Sequence, residues 1–257
     1  MTTKRSKTTL KNLILLTCMA GVSNAAVLVS GSYTQDFNSY EGTQSSLPTG
    51  WALNFSAEET HNGTLTRSLG FSGDAHTDIL NTTGGSPRGV WAARDNETSE
   101  DYHPTMTFNG TNRNTIFVLS LTNDDSFTWT EADVSFAYKQ ITEGLRAATG
   151  SFSYSTDNGA NWLTSGDIAN HTTTVNTEEH VFLSDTVVTP RSGLITDLSV
   201  LPSETLMLRW NLNTSAGDGR NSMLGFDDVN VVVIPEPGTL LLLGIALGTL
   251  ALFHRRR

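Results

Sequence analysis

The sequence predicts an all-β protein, a two-sheet antiparallel β-sandwich of jelly-roll type, flanked by an N-terminal signal peptide and a C-terminal single transmembrane helix. Three observations predict it. Between residues 26 and 234, short β-prone runs alternate with turn residues at the spacing a sandwich requires. No window in that stretch repeats its apolar residues with the 3.6-residue period of a helix. The uninterrupted apolar runs lie at the two ends instead, each beside a cluster of basic residues. The 257 residues therefore divide into segments 1–25, 26–234 and 235–257, and the middle segment is long enough to bury a core without cross-links.

Residues 1–25 read as a secretory signal. Lys4, Arg5, Lys7 and Lys11 precede the apolar run from Leu13 to Val22, and small residues at Ser23 and Ala25 place cleavage after Ala25. Ten residues of helix span only about 15 Å, too little for a bilayer. Cys18, the single cysteine, falls inside this segment. The processed chain then has no disulfide, no cysteine nucleophile and no thiolate metal site.

In the middle segment strands are expected over 26–30, 33–37, 51–55, 64–71, 88–93, 105–108, 115–122, 132–139, 151–155, 179–188, 204–212 and 225–234. Val134, Phe136 and Tyr138 alternate with Asp133, Ser135 and Ala137, as in a half-buried strand, whereas the run 115–122 is more nearly apolar throughout. Asn62-Gly63, Gly84-Gly85, Asn109-Gly110, Asn158-Gly159 and Gly217-Asp218-Gly219 supply turns between runs. No internal repeat appears, which sets aside propellers and solenoids.

Charge separates the segments as clearly. The formal net charge is -10, yet seven of the 16 Lys and Arg lie in the first 25 residues or the last three, and 25 of the 26 acids lie between, so residues 26–234 carry about -16. Lys139 is the only lysine there. Such a domain repels nucleic acid and anionic membrane surfaces.

The C-terminal segment begins Pro235-Glu236-Pro237-Gly238, continues as an apolar stretch from Thr239 to Phe253 and ends His254-Arg255-Arg256-Arg257. Prolines on both sides of Glu236 hold the tripeptide extended and accessible. The sixteen residues from Gly238 to Phe253 would span about 24 Å as a helix, a short membrane crossing. Arg255, Arg256 and Arg257 anchor it on the cytoplasmic side.

A Pro-Glu-Pro tripeptide, a short transmembrane stretch and a terminal Arg cluster, in that order, resemble the PEP-CTERM sorting signal of Gram-negative bacteria. The resemblance covers residues 235–257. It implies Pro235, Glu236 and Pro237 as the processing motif and exosortase, a membrane transpeptidase-like enzyme, as the partner that cuts there. It also implies export through Sec and signal peptidase, a transient single-pass inner-membrane precursor, and a final place at the cell surface among exopolysaccharide. The tail is an address and assigns no chemistry to the domain.

Two local patterns resemble known β modules. Ser155, Asp157, Gly159 and Trp162 match the Asp-box, S-x-D-x-G-x-x-W, of sialidases and other secreted β proteins. The resemblance implies a structural hairpin in which Ser and Asp bond turn backbone and Trp packs it, with Gly at a positive φ. Asp36-Phe37, Leu47-Pro48-Thr49-Gly50-Trp51 and Gly225-Phe226-Asp227-Asp228-Val229-Asn230-Val231 resemble the edges of MAM-like and lectin-like jelly rolls.

Evidence for an enzyme is thin. No nucleophile elbow, zincin helix, phosphate loop or dinucleotide fingerprint occurs. His61, His76, His103, His171 and His180 lack metal-ligand spacing. A glycan hydrolase or lyase needs two facing carboxylates, and Glu131 and Asp133 at a strand mouth come nearest. No catalytic residue is assigned. A structural Ca²⁺ is the one cofactor the sequence suggests, with Asp36, Asp227 and Asp228 as ligands where the first and last strands meet. Trp51, Trp91, Trp129, Trp162 and Trp210 are expected mostly in the core, with at most one or two exposed for sugar stacking. Sequons at Asn54, Asn62, Asn81, Asn96, Asn109, Asn170 and Asn213 reflect Asn/Thr-rich loops. The function these observations favour is a non-enzymatic surface or matrix protein that binds or embeds in exopolysaccharide. A polysaccharide-cleaving enzyme and a ligand-free structural filler are the alternatives.

Overall fold

The computed structural model describes residues 26–39, 47–55, 65–69, 77–82, 89–94, 102–107, 114–176, 178, 181–214 and 221–235. The expected signal peptide and the apolar stretch 239–253 lie outside them. Among the described residues no helix is long and apolar enough to cross a membrane.

The described residues build fourteen strands: β1 Val27–Val29, β2 Ser32–Gln35, β3 Trp51–Phe55, β4 Leu65–Leu69, β5 Thr77–Thr82, β6 Gly89–Arg94, β7 Tyr102–Thr107, β8 Asn114–Asn123, β9 Trp129–Glu143, β10 Ala148–Ser155, β11 His171–Thr172, β12 Val181–Ile195, β13 Thr205–Thr214 and β14 Leu224–Pro235. They form two sheets. The six-stranded sheet runs β1-β8-β13-β10-β11, with β3 also on β8. The eight-stranded sheet runs β12-β9-β14-β7-β6-β5-β4, with β2 also on β14. Every pairing is antiparallel except β1 with β8. This is the two-sheet sandwich that the alternating runs predicted.

Strand β13 shows why these residues form it. Leu206, Leu208, Trp210 and Leu212 are fully buried on one side, while Thr205, Met207, Arg209, Asn211 and Asn213 face the other half-exposed. A period of two with apolar residues in phase fits a strand that covers a core with one face. The facing sheet contributes Ala132, Val134, Phe136 and Tyr138 of β9 and Phe226, Val229, Val231 and Val233 of β14 to the same core. An aromatic seam joins the sheets. Trp210 of β13 lies parallel to Phe226 of β14 with ring centres 5.2 Å apart and planes within 4°. Trp51 and Phe117 of the six-stranded sheet also meet Phe226, at 5.7 and 5.1 Å. At Gly150 the missing side chain admits the ring of Tyr138 from the opposite sheet, which a Cβ would overlap.

Two departures from strict alternation matter. The β14–β9 register shifts between Asp227 and Asn230, and Asp228 adopts φ 54°. This bulge inserts one residue, so Phe226 and Val229 both face the core although three apart. At its end β14 reaches Pro235, which still pairs with Trp129. A proline is tolerated at that position because nothing there needs its missing N–H.

Candidate functional site

The turn after β10 is built by its own side chains. Asn158 and Gly159 take consecutive left-handed conformations, φ 56° and 80°, which suit a tight hairpin and which Asn and Gly adopt most readily. The Ser155 hydroxyl donates to Asp157 Oδ1 at 2.7 Å and accepts from the Gly159 N–H at 2.9 Å. Asp157 Oδ1 accepts from the Asn161 N–H at 2.9 Å, and Oδ2 from the Asn161 amide at 2.6 Å. The Asn161 N–H, then the Ser155 hydroxyl and the Asn161 amide, hold the Asp157 carboxyl at about 2. Trp162 sits against Gly159 on one side and under the Arg209 guanidinium on the other, 4.1 Å from its ring centre. Its ring is committed to packing.

A pH dependence follows. The folded carboxyl is held below its unfolded value near 4, so the turn's stabilisation is present above about pH 4 and lost as pH falls towards 2. Asp157→Asn should lack that component. Melts of the two proteins from pH 6 to pH 2 should converge at the acid end, and parallel curves would show that the carboxylate contributes nothing.

The strand that leads into the tail is pinned along its last turn of sheet. Trp129, opposite Pro235, is fully buried, donates its backbone N–H to Val200 O at 3.0 Å and its indole N–H to Asp125 Oδ2 at 2.9 Å. Asp125 also accepts from the Ser30 hydroxyl at 2.6 Å. Pro235 thus leaves a fixed rim. Glu236, Pro237 and Arg255, Arg256 and Arg257 lie outside the described residues.

Asp36, Asp227 and Asp228 do not share one site. Asp227 is fully buried on the outer side of the eight-stranded sheet, 3.5 Å from Lys139 Nζ. The bulge turns Asp228 the other way, to the surface. There it lines an open cleft of about 400 Å³ with Asp36, Thr34, Gln35, Val229 and Asn230. Among the described residues no group of three His, Cys, Asp or Glu side chains is placed to hold a metal ion. The separation has a physical cause: the extra residue of the bulge parts the neighbouring carboxylates, and a buried lysine lies against one of them.

Glu131 and Asp133 occupy the interior of β9, two residues apart and so on one face, the outer one, where Asp133 is exposed. They lie along an open sheet surface and not at a strand mouth. Trp51, Trp129 and Trp210 are fully buried. Of the histidines, His103 is buried and His171 stacks on Tyr138 at 5.2 Å, its burial lowering its pKa; His61, His76 and His180 lie outside the described residues. The side chain of Trp91 also lies outside them.

Sequence reasoning missed two arrangements, Lys139 with Asp227, and Arg209 with Trp162 and Ser153. The one available signal was that Lys139 stands alone as a lysine inside an otherwise strand-like run. Neither pairing has a spacing that marks it.

Of the comparisons with known proteins, the one with protein families bears on the tail. The PEP-CTERM protein-sorting motif matches residues 233–257. No curated protein matches the chain in sequence. Among solved structures, the K1 cleaved adhesin domain of Lys-gingipain from Porphyromonas gingivalis is 9% identical, with 79% of this chain and 98% of that one covered and a TM-score of 0.42. A family 11 carbohydrate-binding module from Clostridium thermocellum is 10% identical, covering 81% and 99%, with a TM-score of 0.32. A xylan-binding domain from Paenibacillus barcinonensis is 14% identical, covering 63% and 93%, also at 0.32. These are loose likenesses. What the motif establishes is that residues 233–257 are a PEP-CTERM protein-sorting motif, the mark of a protein exported and sorted to the cell surface, here carried at the end of a two-sheet β-sandwich.

Proposed function

We propose that this is a non-enzymatic matrix protein. It enters through Sec, loses residues 1–25 to signal peptidase, is cut by an exosortase at Pro235-Glu236-Pro237 and stays at the cell surface embedded in exopolysaccharide through its sandwich. The carrying observation is the sorting motif over 233–257, placed directly at the end of β14. Because Pro235 still pairs with Trp129, the folded domain meets the processing segment with no intervening linker. A charge of about -16 over residues 26–234 suits an uncharged matrix better than an anionic partner. Glu131 and Asp133 on an open face do not enclose a substrate, which supports the non-enzymatic reading.

In a host with exosortase, Glu236→Ala should leave uncut precursor in the inner membrane while the wild type is processed. Release of the variant at wild-type mass would overturn the assignment of the motif as the processing site.

A further inference from the structure

We infer that the outer face of the six-stranded sheet is a glycan-binding platform for an uncharged polysaccharide chain, with Arg209 as its central donor. This rests on the matrix reading above and gives it a site. Strands β13 and β10 are in register so that Arg209 lies beside Ser153, Asn211 beside Ser151 and Asn213 beside Thr149. These residues alternate with buried core residues, so all face outward together. Neighbouring rows lie about 4.8 Å apart across the sheet and about 6.6 Å apart along it, dimensions that let one sugar ring reach several side chains.

Three features point to a neutral polyol as the occupant. No strand position on this face carries a carboxylate among the described residues, although residues 26–234 hold 25 acids. This acid-free face sets the hydroxyls of Ser151 and Thr149 and the amides of Asn211 and Asn213 beside the apolar Ile116, Val118 and Met207. The Oδ1 atoms of both asparagines are buried with no acceptor bond made among the described residues. Hydroxyls and amides both donate and accept, as sugar hydroxyls do. The one charged side chain at these strand positions, Arg209, is preorganised. Its Nε donates to Ser153 Oγ at 2.8 Å and its guanidinium lies 4.1 Å over the Trp162 ring. Its two terminal nitrogens meet no acceptor among the described residues. A cation held in place from behind, with donors uncommitted in front, loses little freedom when a ligand hydroxyl arrives. The same domain charge disfavours a uronate-rich chain, since its field repels a polyanion beyond the reach of one arginine. The hairpin after β10 gains a purpose here, because the turn that packs Trp162 also sets the platform under Arg209.

The test is electrophoresis of the protein purified from its producing cells through gels containing exopolysaccharide from those cells. Anion exchange first divides that material into neutral and acidic fractions. The neutral fraction should retard the wild type. Arg209→Ala should weaken retardation about tenfold, the loss expected for a hydrogen bond from a charged donor. Ser151→Glu, which removes no core contact, should abolish it while leaving the melting midpoint unchanged, so a folding defect in the first variant cannot mimic the result. Equal retardation of wild type and both variants would overturn the platform and leave the matrix reading standing. Retardation by the acidic fraction alone would overturn the uncharged occupant. No retardation by either fraction would remove the glycan part of the matrix reading and the platform with it.

Discussion

Lys139→Ala should destabilise the sandwich by about 3–5 kcal/mol, the cost of leaving one member of a buried ion pair without its partner. Lys139 and Asp227 sit on adjacent strands, β9 and β14, with side chains 3% and 0% exposed and 3.5 Å between charges. With the lysine gone, the buried Asp227 carboxyl loses the cation beside its Oδ2, while the Asp228 N–H still donates to its Oδ1. For a domain of this size the midpoint should fall by roughly 10 °C or more. The companion experiment is the double variant Lys139→Met with Asp227→Leu. It removes both charges, keeps approximate volume and should recover most of the loss, because a buried pair is costly to break and cheap to replace by apolar groups. Denaturant unfolding of the three proteins decides the matter. A Lys139→Ala cost under about 1 kcal/mol would mean that water reaches Asp227.

Trp210→Ala should cost a similar amount, about 3–5 kcal/mol, for a different reason. The indole is fully buried and meets Trp51, Phe136, Phe152 and Phe226 at centre separations between 5.1 and 5.5 Å. Phe136 and Phe226 belong to the opposite sheet, so the cavity left by the indole opens at the junction of the two layers. Surrounding rings are too stiff to close it fully, which places the cost at the upper end for large-to-small changes. Trp162→Ala is the control. That ring is half-exposed on the outer face and seals no inter-sheet volume, so its loss should cost less. Equal costs for the two would show that the seam does not hold the sheets together.

Much of this architecture is legible in the sequence, element by element. Strand β13 reads directly, because Leu206, Leu208, Trp210 and Leu212 keep the period of two without interruption. Strand β9 reads only in part. The sequence supports 132–139, whereas the strand runs from Trp129 to Glu143. The run as read stops at Lys139 and its hidden end begins with Gln140, polar residues that look like a strand terminus until Asp227 and Thr174 are seen to bind them. Strand β12 was expected to end at 188, before Pro190, yet it continues to Ile195. It lies at the sheet edge, where a proline can direct its missing N–H side away from the neighbouring strand. Strands β5 and β11 were not foreseen. The two residues of β11 have no pattern of their own and exist as a strand only because β10 pairs with them.

The division between what is local and what is tertiary has one physical origin. By itself the sequence determined the sorting tail and the fold class. A sorting motif is read as a linear string of prolines, apolar residues and arginines, and alternation along a single strand already states which face is buried. Only the tertiary structure decided which side chains meet. Register across strands placed Lys139 against Asp227 and Arg209 against Ser153, and a single inserted residue at Asp228 sent two adjacent carboxylates to opposite environments. Such pairings depend on residues 88 and 56 positions apart in the chain, and no spacing within one strand carries that information.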